Sequence, residues 1–401
     1  MLSMNRYVYV GIDTSKPAFD VFARDEQSNI LLPATTMPHS SEGYKELHKI
    51  LGQMEKTSQA QALIGIESTG IYHQHLADYL VSKGYNVRIF NGLELIYLRK
   101  SIIRKTKTDK IDAELISRNL QLCIDKFKKS PVPMDLRDLR ELCHVQRRLM
   151  QKIIVLKNQL IRDLDIVFPG YTSLFTNITC QKSIQLLQVA CFPNEILNMS
   201  QEQLEGLLSP KQTKKLIEIA QRSMPVKGME KSIRCEITFL CQQAQLLLSQ
   251  VDTVMKEIKK ENTHAQEMIM TITGIGEKTG TTIIAEIGNI ENFSSPKGLV
   301  AFAGIDPVIK ASGSTCIARG ISKRGSKTLR TALFQAAVVA ARSNPVIKQF
   351  YQKKRASGKT YRDAIICCAR KLCHIIYSVL KNDKPFYVPQ SILDNIEQSS
   401  S

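Results

Sequence analysis

The sequence predicts an α/β domain at the N-terminus, a helical coiled-coil middle and a mostly α-helical, basic C-terminal domain. Three observations carry this. Short apolar runs of strand period alternate with helical runs over the first third; two stripes of apolar residues step by threes and fours in the middle; the last third keeps a helical period and holds most of the positive charge. With 401 residues, 43% of them hydrophobic, the chain is long enough for two or three domains with real cores, which excludes wholesale disorder.

Tyr7 to Ile12, Asp20 to Ala23 and Ile30 to Leu32 have the strand pattern, and Ser41 to Leu51 reads as a helix. The apolar run Ala62 to Ile66 follows, then a helix from about Ile71 to Lys83 ended by Gly84, the strand Asn86 to Phe90, and helical sequence from Leu93 to about Asp125. The order βββαβαβα makes the first strands a meander and the later ones parallel, and Pro131-Val-Pro133 closes a domain at residues 1–133. In residues 134–262, Leu142, Leu149, Ile153, Leu156 and Leu160 keep a near-heptad spacing broken by Gln146, and Ile237, Leu240, Ala244, Leu247, Val251, Val254 and Ile258 form a matching stripe. The two helices pack on each other as a buried bundle or pair with a second chain, and residues 169–228 form a helical insert at their tip. Residues 263–389 open with a helix, Thr273-Gly-Ile-Gly276 and a second helix, and end in helices Lys327 to Ser343, Pro345 to Ala356 and Lys359 to Leu380. The Ser-rich residues 390–401 are a flexible tail.

Lys plus Arg number 55 against 37 Asp plus Glu, a surplus of 18 that calls for a polyanionic partner. Nucleic acid comes first and an anionic membrane surface second. The segment Met1 to Asp13 has no basic stretch leading into an apolar one, and no run reaches the ~18 apolar residues of a membrane span, so the expectation is a soluble, unexported, cytoplasmic protein. Ten cysteines without a Cys-x-x-Cys pair read as reduced thiols, with Cys367, Cys368 and Cys373 in a helical core. From Ser294 to Pro385 there are 18 basic residues and three acids, so the partner surface is mostly C-terminal. A second cluster, Arg99, Lys100, Arg104, Lys105, Lys107 and Lys110, either holds phosphates or is a solvated helical face.

Three constellations can carry chemistry. Asp13 ends the first strand in Gly-Ile-Asp13-Thr-Ser-Lys16, Glu67 ends a later one in Gly-Ile-Glu67-Ser-Thr-Gly70, and Asp109 and Asp112, three apart, share one helix face. Hard oxygen ligands from two strand ends and a helix suit one or two Mg²⁺ ions, with Mn²⁺ as a substitute, that polarise a phosphodiester. Singly each acid is a cap or a surface charge, and Gly-Ile-Asp strands also occur in actin-like ATPase folds. Gly274 and Gly276, between two helices, can offer backbone N–H groups to a phosphate in the manner of a helix-hairpin-helix, or simply turn the chain. Ser312-Gly313 lies in a basic loop with Lys310, Arg319, Lys323, Arg324 and Lys327, where a serine can approach a phosphate while cations offset charge. Ser314, Ser322 and Ser326 compete for that role.

The order of these motifs resembles the insertion-sequence transposases that join an N-terminal DEDD domain of RuvC-like, RNase H-like fold to a C-terminal serine-bearing transposase domain, a family that includes the pilin-gene invertases. Gly-Ile-Asp13-x-Ser-Lys16, Glu67-Ser-Thr-Gly-x-Tyr72, Lys107-Thr-Asp109-x-x-Asp112-Ala, Thr273-Gly-Ile-Gly276, Ala-Glu286-Ile-Gly288 and Gly304-x-x-Pro307 through Ser312-Gly313 stand in the family's order across nearly the whole chain. Asn91-Gly92 replaces a frequent Asn-Pro, a departure confined to a turn. The resemblance implies that Asp13, Glu67, Asp109 and Asp112 are the metal-binding tetrad and Ser312 the nucleophile that forms a phosphoserine link to DNA. It also implies a structured non-coding guide RNA that pairs with target and donor DNA, a homodimer assembling to a tetramer in which the acidic site of one subunit is completed by the serine domain of another, and a bacterial protein that joins the nucleoid when bound. Two other functions fit the residues: a RuvC-like metal nuclease using water, and a non-catalytic nucleic-acid-binding regulator.

Overall fold

In the N-terminal unit, strands β1 (Tyr7–Thr14), β2 (Ala18–Arg24) and β3 (Ile30–Pro38) are followed by α1 (Ser41–Ser58), β4 (Gln61–Glu67), α2 (His73–Ser82), β5 (Asn86–Phe90) and α3 (Asp109–Leu122). The computed structural model describes residues 6–67, 71–90, 109–122, 136–261, 263–312 and 315–388, and it divides into two compact units, Met1–Pro133 and Met134–Ser401. The expectations for residues 91–108, the Pro131-Val-Pro133 break and the tail 390–401 lie outside the described residues.

The sheet order is β3-β2-β1-β4-β5, antiparallel from β3 to β1 and parallel from β1 through β4 to β5, as the element order predicts. Strand β1 is buried along nearly its whole length because both faces of the sheet are covered. On one face Val8, Val10, Ile12, Ile64 and Ile66 pack with Leu47 and Leu51 of α1 and Leu76 and Leu80 of α2. On the other, Tyr9, Leu63 and Phe90 meet Ile116 and Leu120 of α3. This mixed sheet with helices on both sides is consistent with an RNase H-like DEDD domain.

The second unit begins with α4 (Arg137–Val167), returns in α9 (Glu230–Lys260), and carries between them the short helices α5 (Gln181–Val189), α6 (Pro193–Asn198), α7 (Gln201–Glu205) and α8 (Pro210–Arg222). The long pair is antiparallel: Leu139 and Cys143 near the start of α4 cluster with Val254 and Ile258 near the end of α9, while Arg162 reaches Glu236 at 2.8 Å. The seam of α4 is rotated from the expected one. Gln146, Ile153 and Leu160 are buried with Leu139, Cys143 and Leu164, whereas Leu142, Leu149 and Leu156 are only half-buried. The rotation follows from a second neighbour, since Ala285 of a C-terminal helix joins the Leu139, Cys143 and Ile258 cluster. The insert has its own core around Phe168, Tyr171, Leu187, Leu216 and Ile237.

The remaining elements are α10 (His264–Met270), α11 (Glu277–Ile287), α12 (Pro296–Ala303), β6 (Pro307–Ser312), β7 (Thr315–Ile321), α13 (Lys327–Ser343), α14 (Pro345–Ala356) and α15 (Tyr361–Asn382), with one core running through Ile283, Leu299, Leu333, Ala337, Leu372 and Ile376. The stretch expected to be a basic loop is instead an antiparallel hairpin, with Ser312 opposite Thr315. Pro-Val-Ile-Lys-Ala-Ser and Thr-Cys-Ile-Ala-Arg-Gly-Ile have β-branched and alternating character on either side of a two-residue Gly-Ser connection, which is a hairpin signal. Cys368 and Cys373 are buried free thiols in α15, and burial pushes the Cys373 thiol up to about 12.

Glu286, on α11 and 1% exposed, ties three helices together. It accepts hydrogen bonds from His144 Nε2 of α4 at 2.6 Å and from the hydroxyl of Ser326, the N-cap of α13, with Arg140 Nη2 3.9 Å away. Burial alone would raise its pKa; the His144 and Ser326 hydrogen bonds and the Arg140 charge outweigh that and hold the carboxyl below its usual 4.5. The same hydrogen bond raises His144 above 6.5 against the opposing pull of its own burial. The His144 contribution to stability is therefore complete below 6.5 and fades as pH rises through the raised value, and that of Glu286 is present above 4.5 and fades as pH falls through the lowered value. His144→Ala is expected to cost about 2 kcal/mol, the worth of a hydrogen bond to a charged group. Urea melts of this variant and wild type should differ more near about pH 6 than near about pH 9.

Candidate functional site

Two strand ends and one helix supply the acidic site, and two glycines let them meet. Strands β1 and β4 run parallel in a register that pairs Gly11 with Gly65 and Ile12 with Ile66, so the next residues, Asp13 and Glu67, stand side by side. A Cβ at Gly11 would fall 2.0 Å from the carbonyl oxygen of Ala113 and 2.5 Å from the amide of Ser117, so only glycine admits the α3 backbone onto β1. At Gly65 it would fall 2.6 Å from the Phe90 ring and 2.8 Å from Ile116. Helix α3 is then strapped down by Ser117 Oγ to the Tyr9 carbonyl (2.9 Å), Arg24 Nη2 to Glu114 (3.2 Å) and Gln121 Nε2 to the Glu26 carbonyl (2.7 Å).

This close approach places Asp112 over the strand ends. One carboxylate oxygen each from Asp13, Glu67 and Asp112 all lie within 4.8 Å of one another, with Asp13 and Asp112 buried and Glu67 half-buried. The donor set is three hard oxygens with no imidazole or thiolate, the set that suits Mg²⁺, Mn²⁺ or Ca²⁺ and disfavours zinc or copper. Asp109 is the first residue of α3, one turn before Asp112, and its side chain lies outside the described residues.

Ser312 is the last residue of β6 in the second unit; Gly313 and Ser314, and the side chains of Lys310, Ser312 and Arg319, lie outside the described residues. The base of this hairpin is fastened on three sides. Lys323 N donates to the Gly304 carbonyl (3.0 Å), Ser326 N to the Phe302 carbonyl (2.8 Å) and Arg370 Nε to the Ile305 carbonyl (2.6 Å). Two competing serines have structural partners: Ser322 bonds to Asp306, and Ser326 caps α13 and bonds to Glu286. Lys323, Arg324 and Lys327 are exposed around the start of α13. Arg104, Lys105 and Lys107 lie outside the described residues.

The two glycines of the helix turn differ. Gly274, at φ 108°, is pressed on α13, where a Cβ would fall 2.6 Å from that of Ala340, so packing explains it. Gly276 is the exposed N-cap of α11 with open space at its Cβ. Sequence reasoning missed the spacer role of Gly11 and Gly65, although the repeated Gly-Ile-acid triplet was its signal, and it missed the His144–Glu286–Ser326 bonds, which join residues 142 and 40 positions apart.

Residues 10–169 match a family model described as a transposase, the DEDD type of IS110, and residues 266–352 match the model for transposases of the IS116/IS110/IS902 family. The pilin gene-inverting protein of Moraxella bovis is 26% identical over 385 residues, covering 94% of this chain and 97% of its own. The insertion element IS116 44.8 kDa protein of Streptomyces clavuligerus is 22% identical over 391 residues, covering 95% and 96%. The transposase of IS1111A from Coxiella burnetii is 26% identical over 201 residues, covering 48% and 54%. A mixed sheet bearing clustered carboxylates, together with these matches, makes the chain an enzyme of the DNA transposase and recombinase class. By its two matched segments, in this order, it is an IS110/IS116-family transposase with a DEDD N-terminal domain. No helix among the described residues is long and apolar enough to cross a membrane.

Replacing Gly11 by alanine is expected to displace α3, costing about 1–3 kcal/mol as other overpacked sites do and weakening Mn²⁺ binding with it. Gly52→Ala, at a helix position with open space around its Cβ, is the control and should be neutral or stabilising. Thermal melts with and without Mn²⁺ read both effects.

Proposed function

We propose that the protein is an RNA-guided transposase that cuts and rejoins DNA through Ser312, assisted by Mg²⁺ or Mn²⁺ held by Asp13, Glu67, Asp109 and Asp112. The observation that carries the proposal is the convergence of Asp13, Glu67 and Asp112, which the sequence scatters over 100 positions. A divalent cation there would supply charge stabilisation to a phosphodiester in its transition state. Asp109, one turn before Asp112 on α3, completes the tetrad. Relatives named for pilin gene inversion and for transposition agree with a reaction that both breaks and reseals strands.

In the step proposed, Ser312 Oγ loses its proton and bonds to the scissile phosphorus while one bridging oxygen leaves as a deoxyribose hydroxyl. The serine phosphodiester keeps the energy of the broken bond, so attack by another strand's hydroxyl reseals DNA without an external energy source. Lys310, Arg319, Lys323, Arg324 and Lys327 offset the phosphate charge. The placement of Lys327 supports this: α13 has no acid in its first turn, and Lys327 occupies its first position, where the helix dipole is already positive. Cations there disfavour an isolated helix and favour a bound anion. The exposed backbone at Gly276 adds a sequence-independent phosphate contact, with Gly274 holding the turn, and Arg104, Lys105 and Lys107 grip phosphates beside the tetrad. Base pairing of a structured guide RNA with target and donor DNA supplies specificity, and a homodimer assembling to a tetramer, in the bacterial cytoplasm on the nucleoid, carries out the exchange.

Protein co-expressed with its flanking non-coding DNA, run on a denaturing gel, should show a covalent protein–DNA adduct that Ser312→Ala and Asp109→Ala both abolish. Cleavage without an adduct would establish a hydrolytic metal nuclease instead, and binding with neither product under any metal or RNA would establish a regulator.

A further inference from the structure

The turn between α14 and α15 gathers charge of one sign. From Ser343 to Arg362 the chain carries Lys348, Lys353, Lys354, Arg355, Lys359 and Arg362 and no Asp or Glu. All but Lys354 are exposed, and among the described residues none of the six forms an ion pair. The first acid beyond them, Asp363, accepts a hydrogen bond from the hydroxyl of Thr360, the N-cap of α15, at 2.7 Å. The negative end of the α14 dipole accounts for Lys353, Lys354 and Arg355 in the last turn of that helix. It does not account for Lys348 near the start of α14 or for Arg362 in the first turn of α15, where the dipole opposes a cation.

An aromatic ring stands among these charges. Tyr361 is 48% exposed, yet its ring is held nearly perpendicular to that of half-buried Tyr351, at 77° between planes and 6.4 Å between centroids. Arg355 Nη1 donates to the Lys359 carbonyl (2.7 Å) and Lys359 N to the Lys354 carbonyl (3.3 Å), which closes the turn leading to the ring. Cations alone suit any polyanion, duplex included. A fixed, exposed ring adds affinity where a base is unpaired and offers its face. The corner also stands at a set distance from the β6–β7 hairpin. Arg370 of α15, nine residues after Tyr361, donates to the Ile305 carbonyl at the hairpin base, so the ring lies about 14 Å along the helix from that point. About four stacked nucleotides at ~3.4 Å each cover that length.

We propose that this corner is a binding site for single-stranded DNA, in which Tyr361 stacks on a base and Lys348, Lys353, Lys359 and Arg362 take the phosphates on either side. The occupant is a strand that leaves its duplex while a DNA transposase breaks and reseals it. The site requires only that the chain acts on DNA, the class its family defines, and neither Ser312 nor a metal takes part in it.

The test measures equilibrium binding by the full chain carrying Ser312→Ala, in EDTA, so that neither cleavage nor a metal contributes. Three short probes of one mixed sequence are compared: single-stranded DNA, duplex DNA and single-stranded RNA. In this background Tyr361→Ala should weaken single-stranded DNA about fivefold or more, the loss of one base–aromatic stack, and leave the duplex within about twofold; Tyr361→Phe, which keeps the ring, should bind as the parent does. Changing Lys348, Lys353 and Lys359 together to Gln should lower the slope of log affinity against log salt for the single strand by about 2. A 5-iodouracil base in the DNA strand should photocrosslink to Tyr361, and the variants should melt as the parent does because these side chains are exposed. No binding of single-stranded DNA by the parent, an equal loss on duplex and single strand in Tyr361→Ala, or no loss on either, overturns the proposal. A loss confined to the RNA probe assigns the corner to RNA and overturns it too. Absence of the covalent adduct with these affinities as expected would remove the serine mechanism and leave this site standing.

Discussion

The contact between α3 and β1 at Gly11 is the constraint on which the N-terminal unit's chemistry depends. Asp13 and Glu67 come together by strand register alone, but Asp112 reaches them only because no side chain separates the helix backbone from the strand. The hydrophobic layer behind it, Ile116 and Leu120 on Tyr9, Leu63 and Phe90, sets the helix along the sheet, and the Arg24–Glu114 pair and the Ser117 and Gln121 hydrogen bonds set its rotation. Burial thus supplies the attraction and the polar bonds supply the register, a division of labour expected when three anions must be held closer than they would settle alone.

The second unit solves a different problem. Its polar junction is Glu286, where α4, α11 and the cap of α13 share one buried carboxylate. Removing any one partner leaves the others desolvated, so the junction behaves as a unit and fixes the base of the β6–β7 hairpin relative to α4. The hairpin base is otherwise held by backbone hydrogen bonds to α12 and by Arg370 of α15, so its position does not depend on the side chains at its tip.

Much of this was legible in the sequence. The strands, their order and the three acids that converge could be read because each is local: Gly-Ile-Asp13 and Gly-Ile-Glu67 end apolar runs, and Asp112 lies in a segment of helical period. What was not legible depends on neighbours. Leu142, Leu149 and Leu156 outrank Cys143 and Gln146 in hydrophobicity, yet the seam of α4 takes the latter because α9 and α11 approach from two sides. The β6–β7 hairpin was hidden by the cations and the Ser-Gly-Ser run that make it read as a loop.

The antiparallel pair α4 and α9 also sets a length scale. Thirty-one residues at 1.5 Å each span about 46 Å, with the insert's core at one end and the core of α10 to α15 at the other. At ~3.4 Å per base pair that is about fourteen base pairs, more than a full turn of duplex. A rigid strut of this length makes the separation of two independently packed cores a fixed quantity, so nucleic acid touching both would be spanned over a set length as well as held.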